Sequence, residues 1–321
     1  MKKIALAALL ISTLSLVIAA AAACAADFPL RKIDVVVPFG PGSGTDTTMR
    51  ALAPSLQKVL GVPVVVLNQE GSGGLRGMEY AAKQPADGYT LFLHTPTHIL
   101  SEVQNLSSVS LTNNFDPVVC LVQDSVLVVA SAKGRFKDWS ETAAYANEHP
   151  GEVTVAGMSP KGIDAISMRM IVKAAGVDIT FVPFGSGAEV NSAILGGHVD
   201  LGNQGPAETL EMVKGGEMKA FLVANDKRLP AFPDTPTTYD MGLQVTTGPW
   251  RALAAPKGTP PEIIAKLEDA IKKAYESEEF QKWLKDVMLD QRPGWKDSKG
   301  LGELWKNDLE FFKNAFKELN L

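Results

Sequence analysis

The sequence predicts an α/β protein of two lobes, each a mostly parallel sheet flanked by helices, with two crossover strands between them. Three observations lead there. Continuous β-branched runs alternate with helical periodicity along the chain, the pattern of strands buried under helices on both faces. Early in the chain a strand-like run breaks twice into a Gly-rich turn and then a helical stretch, as in open sheets whose crevice lies at the carboxyl ends of the strands. With an N-terminal leader set aside, roughly 300 residues remain, more than one ordinary core accommodates.

The leader is Met1-Lys2-Lys3, an apolar run from Ile4 to Ala23, and small residues up to Ala26. It reads as a cleaved signal peptide over 1–26, with Ala23 and Ala25 in the spacing that the signal protease needs, and it places the mature protein in the periplasm. Cys24, behind the small Ala23, is a candidate lipid anchor, although Ala21 stands where lipoprotein signals usually carry Leu. Removing Lys2 and Lys3 moves the formal charge from −5 to about −7, which argues against nucleic acid as a partner. It does not exclude an anionic ligand, because local N–H groups set the potential of a buried site. Cys120 is then the sole cysteine, in an apolar stretch, and is expected to be an inert buried thiol.

In chain order, Ile33 to Val37 is a strand that enters Pro38-Phe39-Gly40-Pro41-Gly42-Ser43-Gly44-Thr45-Asp46 and then a helical pattern through Met49, Leu52, Ala53 and Leu56. Such a turn leaves backbone N–H groups unpaired at the positive end of a helix, a seat for a carboxylate or phosphate. Val62 to Leu67 repeats the strand and Gly71-Ser72-Gly73-Gly74 the turn, followed by a short helix around Met78 to Ala82. Pro85-Ala86-Asp87-Gly88 is a turn by composition, and the strand from Tyr89 to Leu93 delivers His94, Thr95, Pro96, Thr97 and His98 to the same edge. The long apolar run from Phe115 to Ser131, interrupted by Gln123 and Asp124, reads as the first crossover.

The second lobe repeats the alternation. Asp138 and Glu141 form a capping box for a helix reaching about His149. Val153 to Ala156 is a strand, Asp164 to Ala175 a helix and Ile179 to Val182 a strand; Ser186 and Glu189 form another capping box, and Val199 to Leu201 and Met218 to Val223 are short strands. A Pro- and Asp-rich connection leads to Trp250 to Ala255, the return crossover. After Pro260-Pro261, a helix start, Leu301, Leu304, Trp305, Leu309, Phe312 and Phe316 mark an amphipathic helix that packs on the first lobe. The division expected is 27–124 with 249–321 as the first lobe and 125–248 as the second.

Enzyme motifs fail in turn. Gly44 is followed by Thr45 and Asp46, not by the Lys of a nucleotide P-loop, and Gly42-Ser43-Gly44 lacks the third glycine of a dinucleotide fingerprint. Gly157-Met158-Ser159-Pro160-Lys161 ends in Lys where a nucleophile elbow needs Gly. His94 and His98 have the spacing of a helical metal pair, but Pro96 between them argues against a helix there. No catalytic residue, metal site or cofactor is predicted.

Five stretches together carry a resemblance. The run Pro38 to Asp46, Asn68-Gln69-Glu70-Gly71-Ser72-Gly73-Gly74, Pro85-Ala86-Asp87-Gly88-Tyr89-Thr90-Leu91, Leu195-Gly196-Gly197-His198-Val199-Asp200 and Trp250 to Pro260 resemble, in order and spacing, the periplasmic binding proteins of tripartite tricarboxylate transporters, also called Bug receptors. The resemblance implies a two-lobed periplasmic binding protein of type II-like fold. It implies a non-enzymatic receptor that holds a small organic carboxylate between its lobes through backbone N–H groups, hydroxyls and bridging waters, acts as a monomer, and serves a two-component inner-membrane permease. The alternative is a sensor of the same fold that signals to a membrane histidine kinase.

The positions that match are Phe39, Gly42, Ser43, Gly44, Thr45 and Asp46, with Thr95 and Thr97, in the first lobe. Asp46 is expected to cap the helix or orient Ser43 and Thr45, with Arg50 as its partner. In the second lobe the chain departs from the family's Ser- and Gly-rich loop with its His, and reads Gly157 to Asp164; Ser159, Lys161 and Gly162 are the candidates there. Phe184 and Gly185 match a Pro-Tyr-Lys-Gly turn without its Lys. Asn203, with Gln204 beside it, follows the last short strand.

Overall fold

The computed structural model describes residues 28–158 and 162–318. The expected signal peptide, Cys24, Ser159 and Lys161 lie outside the described residues. Strands are β1 (Ile33–Val37), β2 (Val64–Asn68), β3 (Thr90–His94), β4 (Phe115–Gln123), β5 (Leu127–Ser131), β6 (Val153–Met158), β7 (Ile179–Phe184), β8 (Leu201–Gln204), β9 (Met218–Val223) and β10 (Trp250–Pro256). Helices are α1 (Gly44–Leu60), α2 (Leu75–Ala82), α3 (Pro96–Val103), α4 (Leu111–Asn114), α5 (Trp139–Glu148), α6 (Ile163–Ala175), α7 (Gly187–Leu195), α8 (Pro206–Lys214), α9 (Pro261–Tyr275), α10 (Glu278–Asp286) and α11 (Ser298–Glu318).

These strands form two five-stranded sheets, β2-β1-β3-β10-β4 and β7-β6-β8-β5-β9. In each, four strands share one direction and one is reversed. The reversed strands are β10, antiparallel to β3 and β4, and β5, antiparallel to β8 and β9. Each reversed strand is the one the chain enters directly from the other sheet. It therefore starts at the edge where its neighbours end, and that edge faces the other lobe.

Alternation along the strands sets two cores per sheet. Val35 and Val37 pack under α1 and α9 with Met49, Leu52, Leu267 and Ile271, whereas Val36 faces Met78, Phe92, Ile99 and the α11 stripe of Leu301, Trp305 and Phe312. Val128, Val155 and Leu201 face one side of the second sheet, and Leu127, Val129 and Ala156 the other, against Val190 and Ile194. Each of the fully buried Val, Leu and Ile side chains contributes about 1.5–3 kcal/mol. Cys120 belongs to this interior, and burial pushes its thiol up to about 12.

Caps stop and start the helices as their residues dictate. Asp138 accepts from Glu141 N at 2.8 Å while Glu141 accepts from Lys137 N, and Ser186 accepts from Glu189 N while Glu189 accepts from Gly185 N. Gly61, at φ 71°, ends α1 in the left-handed conformation. Two expectations need correction. Pro96 does not prevent a helix, because it is the first residue of α3, where its missing N–H has no bond to make. The strand expected at Val199 begins instead at Leu201, since Asp200 is taken by Arg135 Nε at 2.7 Å and by Thr154 N at 2.9 Å.

The two crossings run side by side. Asp124 N donates to Pro249 O at 2.8 Å, and Ala224 N to Val126 O at 2.8 Å. A Cβ on Gly248 would stand 2.3 Å from Asp124 O, so the close approach of these segments depends on that glycine. Among the described residues no helix is long and apolar enough to cross a membrane.

Candidate functional site

Where the two sheet edges face each other lies a cavity of about 430 Å³, lined from both lobes and from the crossings. Its first-lobe wall is the start of α1. Ser43 is the N-cap and accepts from Asp46 N at 3.3 Å, and Ser43 Oγ and Thr45 Oγ1 are 3.1 Å apart. Among the described residues, the N–H groups of Gly44 and Thr45 have no partner, as expected at the first turn of a helix. Gly44 and Thr45 line the cavity together with Phe39, Thr95 and Thr97.

Asp46 holds this wall from behind. Its carboxylate, 2 % exposed, accepts from Gly42 N, Arg50 Nε and Asn68 Nδ2, each at 2.9 Å. Burial pushes the carboxyl up, but the bonds from Arg50, Gly42 and Asn68 outweigh burial and hold it below the usual carboxylate range. Asn68 also donates to Phe39 O at 2.9 Å, so the end of β2 fixes the loop after β1. The second Gly-rich turn comes equally close: a Cβ on Gly74, at φ +96°, would meet His98 Nε2 at 2.9 Å and Phe39 Cζ at 3.2 Å. His98 in turn accepts from Thr95 N through Nδ1 at 3.2 Å and caps α3. Burial lowers His98 to about 4 and holds His94 well below the ordinary imidazole value, with His98 adding to the effect on His94, so both rings are neutral. His94 is enclosed by Phe92, Trp250 and Trp305.

Arg251 on β10 completes the first-lobe side. Its Nη1 donates to Thr48 Oγ1 at 3.2 Å, and a Cβ on Gly44 would stand 2.8 Å from Nη2. The absence of a side chain at 44 is thus what lets a guanidinium lie against the first turn of α1. Burial lowers the pKa of Arg251, opposed by Asp124 and Glu208.

The opposite wall is acidic. Asp164, in the first turn of α6, accepts from Met158 N at 3.2 Å through one oxygen; burial pushes it up to about 7, with Met158 opposing and Glu208 adding. Asp124, at the first crossing, accepts from Ser125 N at 2.8 Å, and burial pushes it up to about 6 against the pull of Arg251. Glu208 accepts from Gly205 N and starts α8. Asn203, 2 % exposed, donates through Nδ2 to Asp164 O at 2.7 Å.

Of the residues singled out in the sequence, Phe39, Ser43, Gly44, Thr45, Thr95, Thr97, Gly162 and Asn203 line the cavity. Gly42, at φ +82°, and Asp46 stand behind the wall. Gly185 N is engaged by Glu189 as a helix cap, and Phe184 packs in the second-lobe core; neither lines the cavity. Sequence reasoning missed Arg251, Asp124, Asp164 and Glu208 as wall residues. Only Asp124 carried a local signal, as a charge inside an apolar run.

The comparisons bear on the fold and the family. Residues 48–321 match the model of the tripartite tricarboxylate transporter family receptor. The chain is 33% identical over 264 residues to Protein BugT of Bordetella pertussis, covering 80% of each sequence. Among solved structures, MatC from Rhodopseudomonas palustris with bound malate is 29% identical with a TM-score of 0.74, the match covering 90% of this chain and 99% of that one. An R. palustris protein with adipate is 25% identical with a TM-score of 0.78, over 91% and 98% of the two chains. Two facing five-stranded sheets, a Gly-rich helix start at their junction and a match over most of the length lead to one conclusion: the chain belongs to the tripartite tricarboxylate transporter receptor family, a family of solute-binding proteins.

Proposed function

We propose that this protein is a periplasmic receptor that closes its lobes on a small organic carboxylate and delivers it to a two-component inner-membrane permease. The observation that carries the reading is the first-lobe wall, where the unpaired N–H groups of Gly44 and Thr45, the Ser43 hydroxyl and Arg251 lie together. A carboxylate there gains roughly 0.3–1 kcal/mol from the helix end, up to about 2 when partly buried. A charge-assisted bond to Arg251 adds about 1.5–3 kcal/mol. The malate and adipate held by the two R. palustris relatives support the ligand class.

Closure follows from the layout. Groups of the first lobe and of the second reach one ligand together only when the lobes are close, so a ligand that touches both shifts the population towards the closed state. The paired, antiparallel crossings at Asp124 and Pro249 are where such a motion bends. Domain division at 124/125 and 248/249 is part of this proposal.

The test is thermal unfolding of the mature protein, stripped of carried-over ligand by unfolding and refolding, against mono-, di- and tricarboxylates, aromatic acids and amino acids. A ligand that binds only the folded state raises the melting temperature by mass action. A rise confined to carboxylate-bearing compounds is expected. A folded protein that responds to none of them overturns the ligand class, and failure to co-purify with a two-component permease overturns the partner.

A further inference from the structure

The second-lobe wall is poorly suited to a ligand that is negative throughout. Asp124, Asp164 and Glu208 share this cavity with Arg251, and among the described residues none of the three acids has a cationic side chain within ion-pairing distance. The acids converge: a Cβ on Gly205 would lie 2.5 Å from Glu208 Oε2 and 3.9 Å from Asp124 Oδ2. Asp164 uses one carboxylate oxygen on Met158 N and keeps the other.

A second observation, independent of the acids, points the same way. Asn203 is 2 % exposed, its amide nitrogen is committed to Asp164 O at 2.7 Å, and its Oδ1 is a buried acceptor with no donor. Ser125 Oγ, in a residue also 2 % exposed on the same wall, lacks a partner as well. Buried polar atoms are ordinarily bonded, so a buried acceptor without a donor on a residue that lines the cavity marks where a donor of the ligand belongs.

We infer that the ligand is an amino-bearing carboxylate, its carboxylate on the start of α1 and Arg251 and its ammonium group among Asp164, Asn203 Oδ1 and the carboxylates of Asp124 and Glu208. This deepens the receptor reading above and rests on it. The wall offers acceptors where the opposite wall offers donors, and a zwitterion matches both. Burial pushes Asp164 up to about 7 and Asp124 to about 6, with Glu208 adding to both; a bound cation offsets that cost and a second carboxylate worsens it.

The experiment is calorimetric titration of stripped protein with matched pairs that differ only by the amino group: aspartate against succinate, glutamate against glutarate, 5-aminovalerate against valerate. In at least one pair the amino member is expected to bind 10-fold tighter or more. Asp164→Asn, which retains an acceptor for Met158 N, should remove most of that preference by weakening the amino member far more than its partner. If the desamino member of every pair that binds is equal or tighter in the unmodified protein, the ammonium assignment is overturned while the carboxylate receptor stands. If no member of any pair binds to folded protein, the carboxylate reading falls and this inference with it.

Discussion

Replacing Asp46 by Ala tests whether one buried carboxylate organises the first-lobe wall. The substitution removes the acceptor of Gly42 N, Asn68 Nδ2 and Arg50 Nε, each bonded at 2.9 Å. Charge-assisted bonds to the first two are worth about 1.5 kcal/mol each at the low end of their range, and the negative charge at the helix start about 0.5 kcal/mol. Arg50 is half exposed, returns to water, and adds little. The sum is about 3.5 kcal/mol, or a melting temperature lower by roughly 7–14 °C for a chain of this size. Calorimetric unfolding checks it, and titration with the tightest carboxylate found should show at least a 10-fold loss as Phe39 and Ser43 lose their anchor. The sign with pH is fixed as well. The folded carboxyl titrates below its ordinary value of 3.8, so its contribution is present above that pH and disappears as pH falls through the folded value. The gap between parent and variant must therefore close in acid. A variant that melts within about 1 °C of the parent at neutral pH, or a gap that does not change with pH, would refute the reasoning.

Further expectations concern the approach of backbone to side chain and the acidic wall. Gly44→Ala puts a methyl 2.8 Å from Arg251 Nη2, so the guanidinium must leave Thr48; titration should show carboxylate affinity about 10-fold weaker at nearly unchanged stability, as expected when one charge-assisted contact is lost. Gly248→Ala sets a Cβ 2.3 Å from Asp124 O and 3.2 Å from Ser125 Cα, backbone atoms that cannot rotate away, and should cost about 2–3 kcal/mol by urea unfolding. Asp164 titrates at about 7 in the folded protein against an ordinary 3.8. The native state thus holds a proton that the unfolded chain has released, and this group favours folding most at low pH, losing that contribution as pH rises to about 7. Asp164→Asn should flatten the fall in urea midpoint over that window, with Asp124, at about 6, leaving a residual slope of the same sign. An unchanged slope would mean that Asp164 is solvated like an ordinary carboxylate.

Signals confined to a few residues are legible in the sequence, and those that depend on helix position or on strand register are not. The caps at Asp138 and Ser186 involve atoms three residues apart, so composition and spacing suffice. Pro96 was misjudged because a proline's effect depends on its position in the helix: in the interior it removes a bond, whereas at the first residue it removes none. Asp46 was legible as a partner of Arg50, four residues away, but its bond to Asn68 was not, because β2 and the loop after β1 meet only through the register of parallel pairing.

The sequence alone determined the α/β class, the alternation of strands and helices in most of the chain and the Gly-rich helix start, since each rests on periodicity, turn chemistry or motif spacing within a few residues. Tertiary structure alone decided the walls of the cleft. Arg251 reaches the start of α1 across 203 positions of sequence, and Asp124, Asp164 and Glu208 meet because the second sheet inserts β5 beside β8 and sends α6 and α8 from the same edge. Charges brought together in this way follow from strand order, which leaves no mark on the residues that flank Arg251, Asp164 and Glu208; only the crossing at Asp124 shows locally, as a charge inside an apolar run.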